Sequence, residues 1–184
     1  MRREAVRLGE EVAQALEEGR PVVALESSVT VQGLPPPHNL QSARACAKAI
    51  RKSGAVPAIT GVIAGEPVAG LKDEEIERLL DPKNKARKVG RRDLALARAF
   101  GYWGATTVSG TCAIADAVGI RMFAASRWGR KASSLRPMLA STACSNGASA
   151  TRRRTIQRAT YEEVTAIMGA IIDDIKAEIG ELAT

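Results

Sequence analysis

The chain has 184 residues, 45% of them hydrophobic and 3% aromatic. That length suits one domain with a real core, and the composition excludes a disordered chain and argues against an aromatic-rich β-sandwich; Ala, Val, Ile and Leu must fill α/β layers. The formal charge of +7 favours anionic partners, either a phosphate or a nucleic acid.

Taken in chain order, residues 4–18 predict an amphipathic helix. Ala5, Leu8, Val12 and Leu16 share one face, and Gly19 ends it. PVVAL, from Pro21 to Leu25, is a short buried-strand run that stops at Glu26. A Pro-rich loop follows. Asn39 is placed to cap a second helix through about Lys52, with Gly54 behind it. Val56 to Ala64 predicts a second strand. Gly65-Glu66-Pro67 reads as a turn into a third, Val68 to Leu71. Asp73 opens DEEIERLL, an acidic start that suits a helix dipole. Pro82 to Asp93 reads as a basic connection, Leu94 to Phe100 as a short helix. Thr106-Thr107-Val108 leads into a helix ending near Val118, Gly119 stops it, and IRMF is the next strand. Alternating strands and helices predict an α/β fold with three layers, α-β-α.

After Phe123 the pattern changes. Residues 124–158 carry eight Lys/Arg and no acid, so this stretch holds +8 and the remainder of the chain sums to 7 − 8 = −1. The sequence divides into an α/β domain over 1–123, a basic Ser/Ala/Arg-rich linker or disordered segment over 124–159, and an amphipathic helix over 160–184. In the helix, Thr160 and Glu163 form a capping box. Val164, Ile167, Met168, Ile171, Ile172, Ile175, Ile179 and Leu182 form a stripe at helical spacing, which must bury itself against the domain or a partner. Cys46, Cys112 and Cys144 form no CxxC pair and read as reduced, small apolar residues. No apolar run has transmembrane length. The N-terminus is too acidic for a transit peptide and has no signal-peptide core, so the expected location is cytoplasmic.

Three places carry candidate chemistry. Glu26 follows a strand and should stand at the sheet's carboxyl edge, where α/β ligand sites form. A carboxylate half out of water there holds its proton more tightly and is prepared to donate it; the plainer alternative is a loop carboxylate that accepts backbone amides. Ser27, Ser28 and Thr30 are ligand donors or turn formers. Lys88, in KNKARKVGRRDL, is either part of a solvated basic run or a phosphate or carbonyl partner. GATTVSG, Gly104 to Gly110, sets Thr106, Thr107 and Val108 at a helix start, as a phosphate site or an ordinary threonine cap. His38 is the single histidine, which excludes a two-histidine metal site.

In order and spacing, ALESSVT, GLPPPHNL, GAVPAITGVIAGEPVAGL, DEEIERL, ARKVGRRDL, WGATTVSGT and GIRMF resemble the pseudouridine-5′-phosphate glycosidase family, also called indigoidine synthase A-like. The resemblance covers about residues 5–123. It implies reversible cleavage of a carbon–carbon glycosidic bond, giving uracil and ribose 5-phosphate. A lysine forms a Schiff base with the opened sugar, an acid protonates the departing base, and a divalent metal, usually manganese, assists. It further implies a phosphorylated nucleoside as partner, no membrane, and a homo-oligomer, a trimer in the family. Glu26 matches the family's proton donor, Lys88 a substrate-contacting lysine, and Val108 a position that binds substrate through its backbone; Thr106 and Thr107 accompany it. Gly90 stands where the family has serine. The family's TGGIGGVHRG, DISADL and KSILD motifs, which supply the metal-linked aspartate and the Schiff-base lysine, are absent from this sequence. Two readings stay open: an active glycosidase, and an inactive remnant that binds ribose phosphate. Nucleic-acid binding through Arg152-Arg153-Arg154 is the weakest, since those arginines lack aromatic companions.

Overall fold

A computed structural model of the chain describes residues 1, 3–33, 35–127 and 136–139. The expected helix over 160–184 and most of the basic stretch lie outside the described residues. What is described is a three-layer α-β-α arrangement, as the alternation predicts.

The N-terminal segment differs from expectation. A 3₁₀ turn at Arg3–Ala5 and a two-residue strand, β1 (Arg7–Leu8), precede helix α1 (Glu10–Glu17). Gly9 causes the break. Its amide donates to the Ala69 carbonyl at 2.8 Å, and a Cβ there would sit 2.3 Å from the Gly70 carbonyl oxygen. Glu10 and Glu11 then occupy the first turn of α1, where carboxylates favour a start.

Strand β2 (Val22–Leu25) falls where PVVAL places it, and a short helix, α2 (Ser28–Gln32), replaces part of the expected loop. Helix α3 (His38–Lys52) has Pro37, not Asn39, at its N-cap. Asn39 lies inside the helix, and its Oδ1 accepts from the neighbouring Leu40 amide. Strand β3 (Val56–Ile63) returns through a two-residue hairpin into β4 (Glu66–Ala69). The turn is Ala64-Gly65, both at positive φ, and not Gly65-Glu66-Pro67. Pro67 is tolerated because β1 bonds β4 further along, at Val68 and Ala69. Helix α4 (Asp73–Leu80) matches DEEIERLL, and the Glu75 carboxylate accepts the Lys72 amide at its start.

Two further short strands escape the sequence pattern. β5 (Arg87–Val89) lies within the expected basic connection, and β6 (Gly104–Thr106) precedes the last described helix. Helix α5 (Leu94–Phe100) stands between them, and α6 (Val108–Val118) follows, closed by Gly119 at positive φ. Strand β7 (Met122–Arg127) runs four residues past Phe123, and β8 (Arg136–Leu139) pairs back on it antiparallel. The stretch after Phe123 therefore contains strand at both of its described pieces.

The sheet order is β1-β4-β3-β2-β7-β8, with β6 beside β3 and β5 beside β6. Alternation along β2 sorts its side chains to two cores. Val22 and Ala24 join Val12 and Ala15 of α1, Ile114 and Val118 of α6, and Phe123 on one face. Val23 joins Ala49 and Ile50 of α3 on the other. Ile76 and Leu79 of α4 cover Val68 and Leu71 beyond β4.

Candidate functional site

Strand β3 is long enough to serve two neighbours on one edge. Its first half, Val56 to Ile59, pairs parallel with β2. Its second half pairs antiparallel with β6, Gly61 to Ala105 and Val62 to Gly104. β2 and β6 thus run toward each other, and their carboxyl ends meet beside Thr60. Strand β5, parallel to β6, brings Val89 next to Thr106 at the same point. Carboxyl ends of strands are where α/β proteins open a crevice.

The meeting of two strand ends leaves backbone groups without ladder partners, and buried hydroxyls supply them. The Thr106 amide donates to Ser27 Oγ at 3.0 Å. Thr60 Oγ1 donates to the Leu25 carbonyl at 3.1 Å, and Thr106 Oγ1 donates to the Thr60 carbonyl at 2.9 Å. Thr111, from the second turn of α6, closes a triangle of hydroxyls. The sides are 2.7 Å for Thr60–Thr106, 2.9 Å for Thr60–Thr111 and 3.1 Å for Thr106–Thr111. All four side chains are buried.

Glu26 stands on the rim of this junction, half-buried. Burial pushes its carboxyl above the ordinary carboxylate range; a hydrogen bond from Ser28 Oγ at 3.2 Å and the positive charge of Lys88 pull the other way. Lys88 comes from β5, so the structure brings the two residues into electrostatic range, 62 positions apart in sequence. Lys88 itself is exposed. The Gln32 side-chain amide, at the end of α2, donates to the Ala86 carbonyl at 3.1 Å and ties the loop after Glu26 to β5.

Helix α6 points its N-terminus into the same place. Its N-cap, Thr107, gives its amide to the Val89 carbonyl at 3.0 Å, and its hydroxyl makes no capping bond into the helix. First-turn amides have no intrahelical acceptor, so those of Val108, Ser109 and Gly110 are available for an anion. Val108 is exposed, which fits a backbone role. Glycines permit the approach. A Cβ on Gly110 would lie 2.3 Å from the Val89 carbonyl oxygen, and one on Gly104 would lie 2.3 Å from Val89 Cγ2. Asp93 accepts the Gly90 amide at 2.8 Å and so shapes the turn after Lys88.

The expected site residues therefore converge, with one change of role. Thr106 is fully buried with its hydroxyl committed to the Thr60 carbonyl, so it braces the junction. Thr60 and Thr111 complete that brace and had no sequence signal beyond being threonines in apolar surroundings. Among the described residues, no three His, Cys, Asp or Glu side chains come together as a metal would need. The described residues therefore do not by themselves fit manganese.

The fold and the site define an α/β protein in which a partly desolvated acid, a lysine and a helix N-terminus gather where two strand ends meet. The chain belongs to the family described as indigoidine synthase A like protein, whose model matches residues 11–131. It is 53% identical over 118 residues to a pseudouridine-5′-phosphate glycosidase of Myxococcus xanthus and 50% identical over 119 residues to one of Chloroflexus aurantiacus. These matches cover 64% and 65% of this chain but 39% of each relative, so the chain spans about two fifths of the length of the curated relatives it matches. Among solved structures it is similar to the prealnumycin C-glycosynthase AlnA in complex with ribulose 5-phosphate. That likeness has a TM-score of 0.58 and 43% identity and covers 65% of this chain and 38% of that one. It is also similar to an indigoidine synthase A-like protein of Thermotoga maritima, with a TM-score of 0.57 and 32% identity, over 64% of this chain and 38% of the other.

Proposed function

We propose that the chain acts as a pseudouridine-5′-phosphate glycosidase, reversibly cleaving the carbon–carbon bond between uracil and ribose 5-phosphate. Glu26 is the proton donor. As the bond breaks, its electron pair stays on the uracil carbon, which takes the Glu26 carboxyl proton; water adds its oxygen to the sugar carbon and returns a proton to Glu26, whose transient carboxylate is balanced by Lys88. Lys88 also holds the sugar phosphate, together with the backbone amides at Val108 and the hydroxyl of Thr107. A carboxylic acid at neutral pH must hold its proton above the usual range to serve as a general acid. The observation that carries this reading is the place of Glu26, half-buried at the meeting of the two strand ends with Lys88 of β5 in electrostatic range. The expected cytoplasmic location and trimeric state belong to the same reading.

A second reading has its own support. The chain spans 39% of the glycosidases it resembles, and the KSILD lysine motif is absent from its sequence. Under it, the crevice binds ribose phosphate without turnover. Uracil release from pseudouridine 5′-phosphate, measured with manganese present, separates the two. Release that disappears in Glu26→Gln supports the glycosidase. Saturable binding of ribose 5-phosphate that weakens in Lys88→Ala, with no uracil formed by folded protein, selects the binder.

A further inference from the structure

Helix α5 buries Leu94 and Ala97 in the core, yet its outer face is apolar. Leu96 and Phe100, one turn apart on that face, are 53% and 66% exposed. The Phe100 ring stacks on Tyr102 with centroids 5.6 Å apart, and the Arg87 guanidinium lies 4.1 Å from the Tyr102 ring centre. The strip therefore continues from the helix onto β5 and ends under a cation. The stretch of chain that carries it is basic in sequence. Residues 87–100 contain Arg87, Lys88, Arg91, Arg92 and Arg98 against Asp93 alone, a net of 5 − 1 = +4.

One segment of the same chain has the complementary chemistry. Residues 160–184 carry Glu162, Glu163, Asp173, Asp174, Glu178 and Glu181 against Lys176, a net of 1 − 6 = −5. The same segment holds the isoleucine-rich stripe from Val164 to Leu182. An apolar stripe flanked by acids matches an apolar strip flanked by bases, both in the burial it offers and in the charge it meets. Twenty residues, 140–159, separate Leu139 from Thr160. Twenty residues can extend to at most about 70 Å, more than the diameter of a domain this size. Such a tether gives an effective concentration in the millimolar range, which favours the chain's own segment over a second copy at micromolar protein.

We propose that residues 160–182 dock on α5 of their own chain, laying the stripe across Leu96 and Phe100 with their carboxylates against the surrounding arginines. The proposal concerns this surface alone and stands or falls independently of the reaction at Glu26.

Hydrogen exchange on the full chain tests it. Amides of 160–182 are expected to be protected by at least about tenfold over the unstructured rate, and that protection should survive about a hundredfold dilution. It should be lost in Leu96→Asp/Phe100→Asp, whose two positions are exposed, so that the α/β domain keeps its own protection and circular dichroism. High salt should weaken it. Three results overturn the proposal: no protection in the unaltered chain, protection unchanged in the double variant, or protection that fades on dilution as a dimer dissociates in sedimentation.

Discussion

The two halves of strand β3 are held by different forces. Along Val56 to Ile59 the partner is β2, and its aliphatic side chains pack against helices on both faces. Along Thr60 to Val62 the partner is the three-residue strand β6, held by a cluster of hydroxyls and by glycines that admit close approach. The first half is a stable core that needs only apolar residues of the right size. The second half trades packing for polar bonds, and it is there that Glu26, Lys88 and the start of α6 gather.

Substitutions sharpen that contrast. The largest effect falls on the acid. Glu26→Gln should lower uracil release by about 10²–10⁴-fold, the usual contribution of a general acid, with the fold retained. Any release that persists undiminished breaks the link between the hydroxyl half and catalysis. Gly110→Ala places a Cβ 2.3 Å from a backbone carbonyl oxygen that cannot move freely. It should cost about 3 kcal/mol in denaturant unfolding, at the upper end of overpacking. Thr60→Val keeps volume but strands the Leu25 carbonyl, and about 1–3 kcal/mol should be lost. In the aliphatic half, Ile50→Val trims a buried methylene from α3 and should cost only about 0.5–1.5 kcal/mol. An equal or larger loss at Ile50 than at Thr60 would reverse the comparison.

The smallest effect is a pH dependence. Below the ordinary carboxylate range the folded and unfolded chains both hold the Glu26 proton. As pH rises from that range through the raised folded value, the unfolded chain releases its proton first, so folded stability falls. Glu26→Gln should remove that fall and leave the variant slightly the more stable at neutral pH in thermal unfolding.

The same division explains what could be read from sequence. PVVAL, DEEIERLL and Leu94 to Phe100 have aliphatic runs or helical periods with acidic starts and glycine stops, and they fold where those signals place them. β5 and β6 do not show, because three residues carry no period and Arg87 and Lys88 look like solvent-facing loop. The helix expected over residues 4–18 splits at Gly9, where a long-range contact with Ala69 and Gly70 overrides local amphipathicity. Glu26, Lys88 and Val108 were legible as candidates from their motifs. Their convergence depends on β2 and β6 meeting end to end along β3, a relation between segments 80 residues apart that no local pattern encodes. The change of role for Thr106 has the same origin, since its burial is set by Ser27, Thr60 and Thr111.

Glu26 can serve as the acid only by holding its proton unusually well. The direct test is the titration of its side-chain carboxyl carbon by NMR in the intact chain, assigned by its disappearance in Glu26→Gln. The expected midpoint lies above the ordinary glutamate value of about 4.3 and moves higher in Lys88→Ala as the opposing positive charge is removed. A midpoint at or below the ordinary value, indifferent to Lys88, would contradict it.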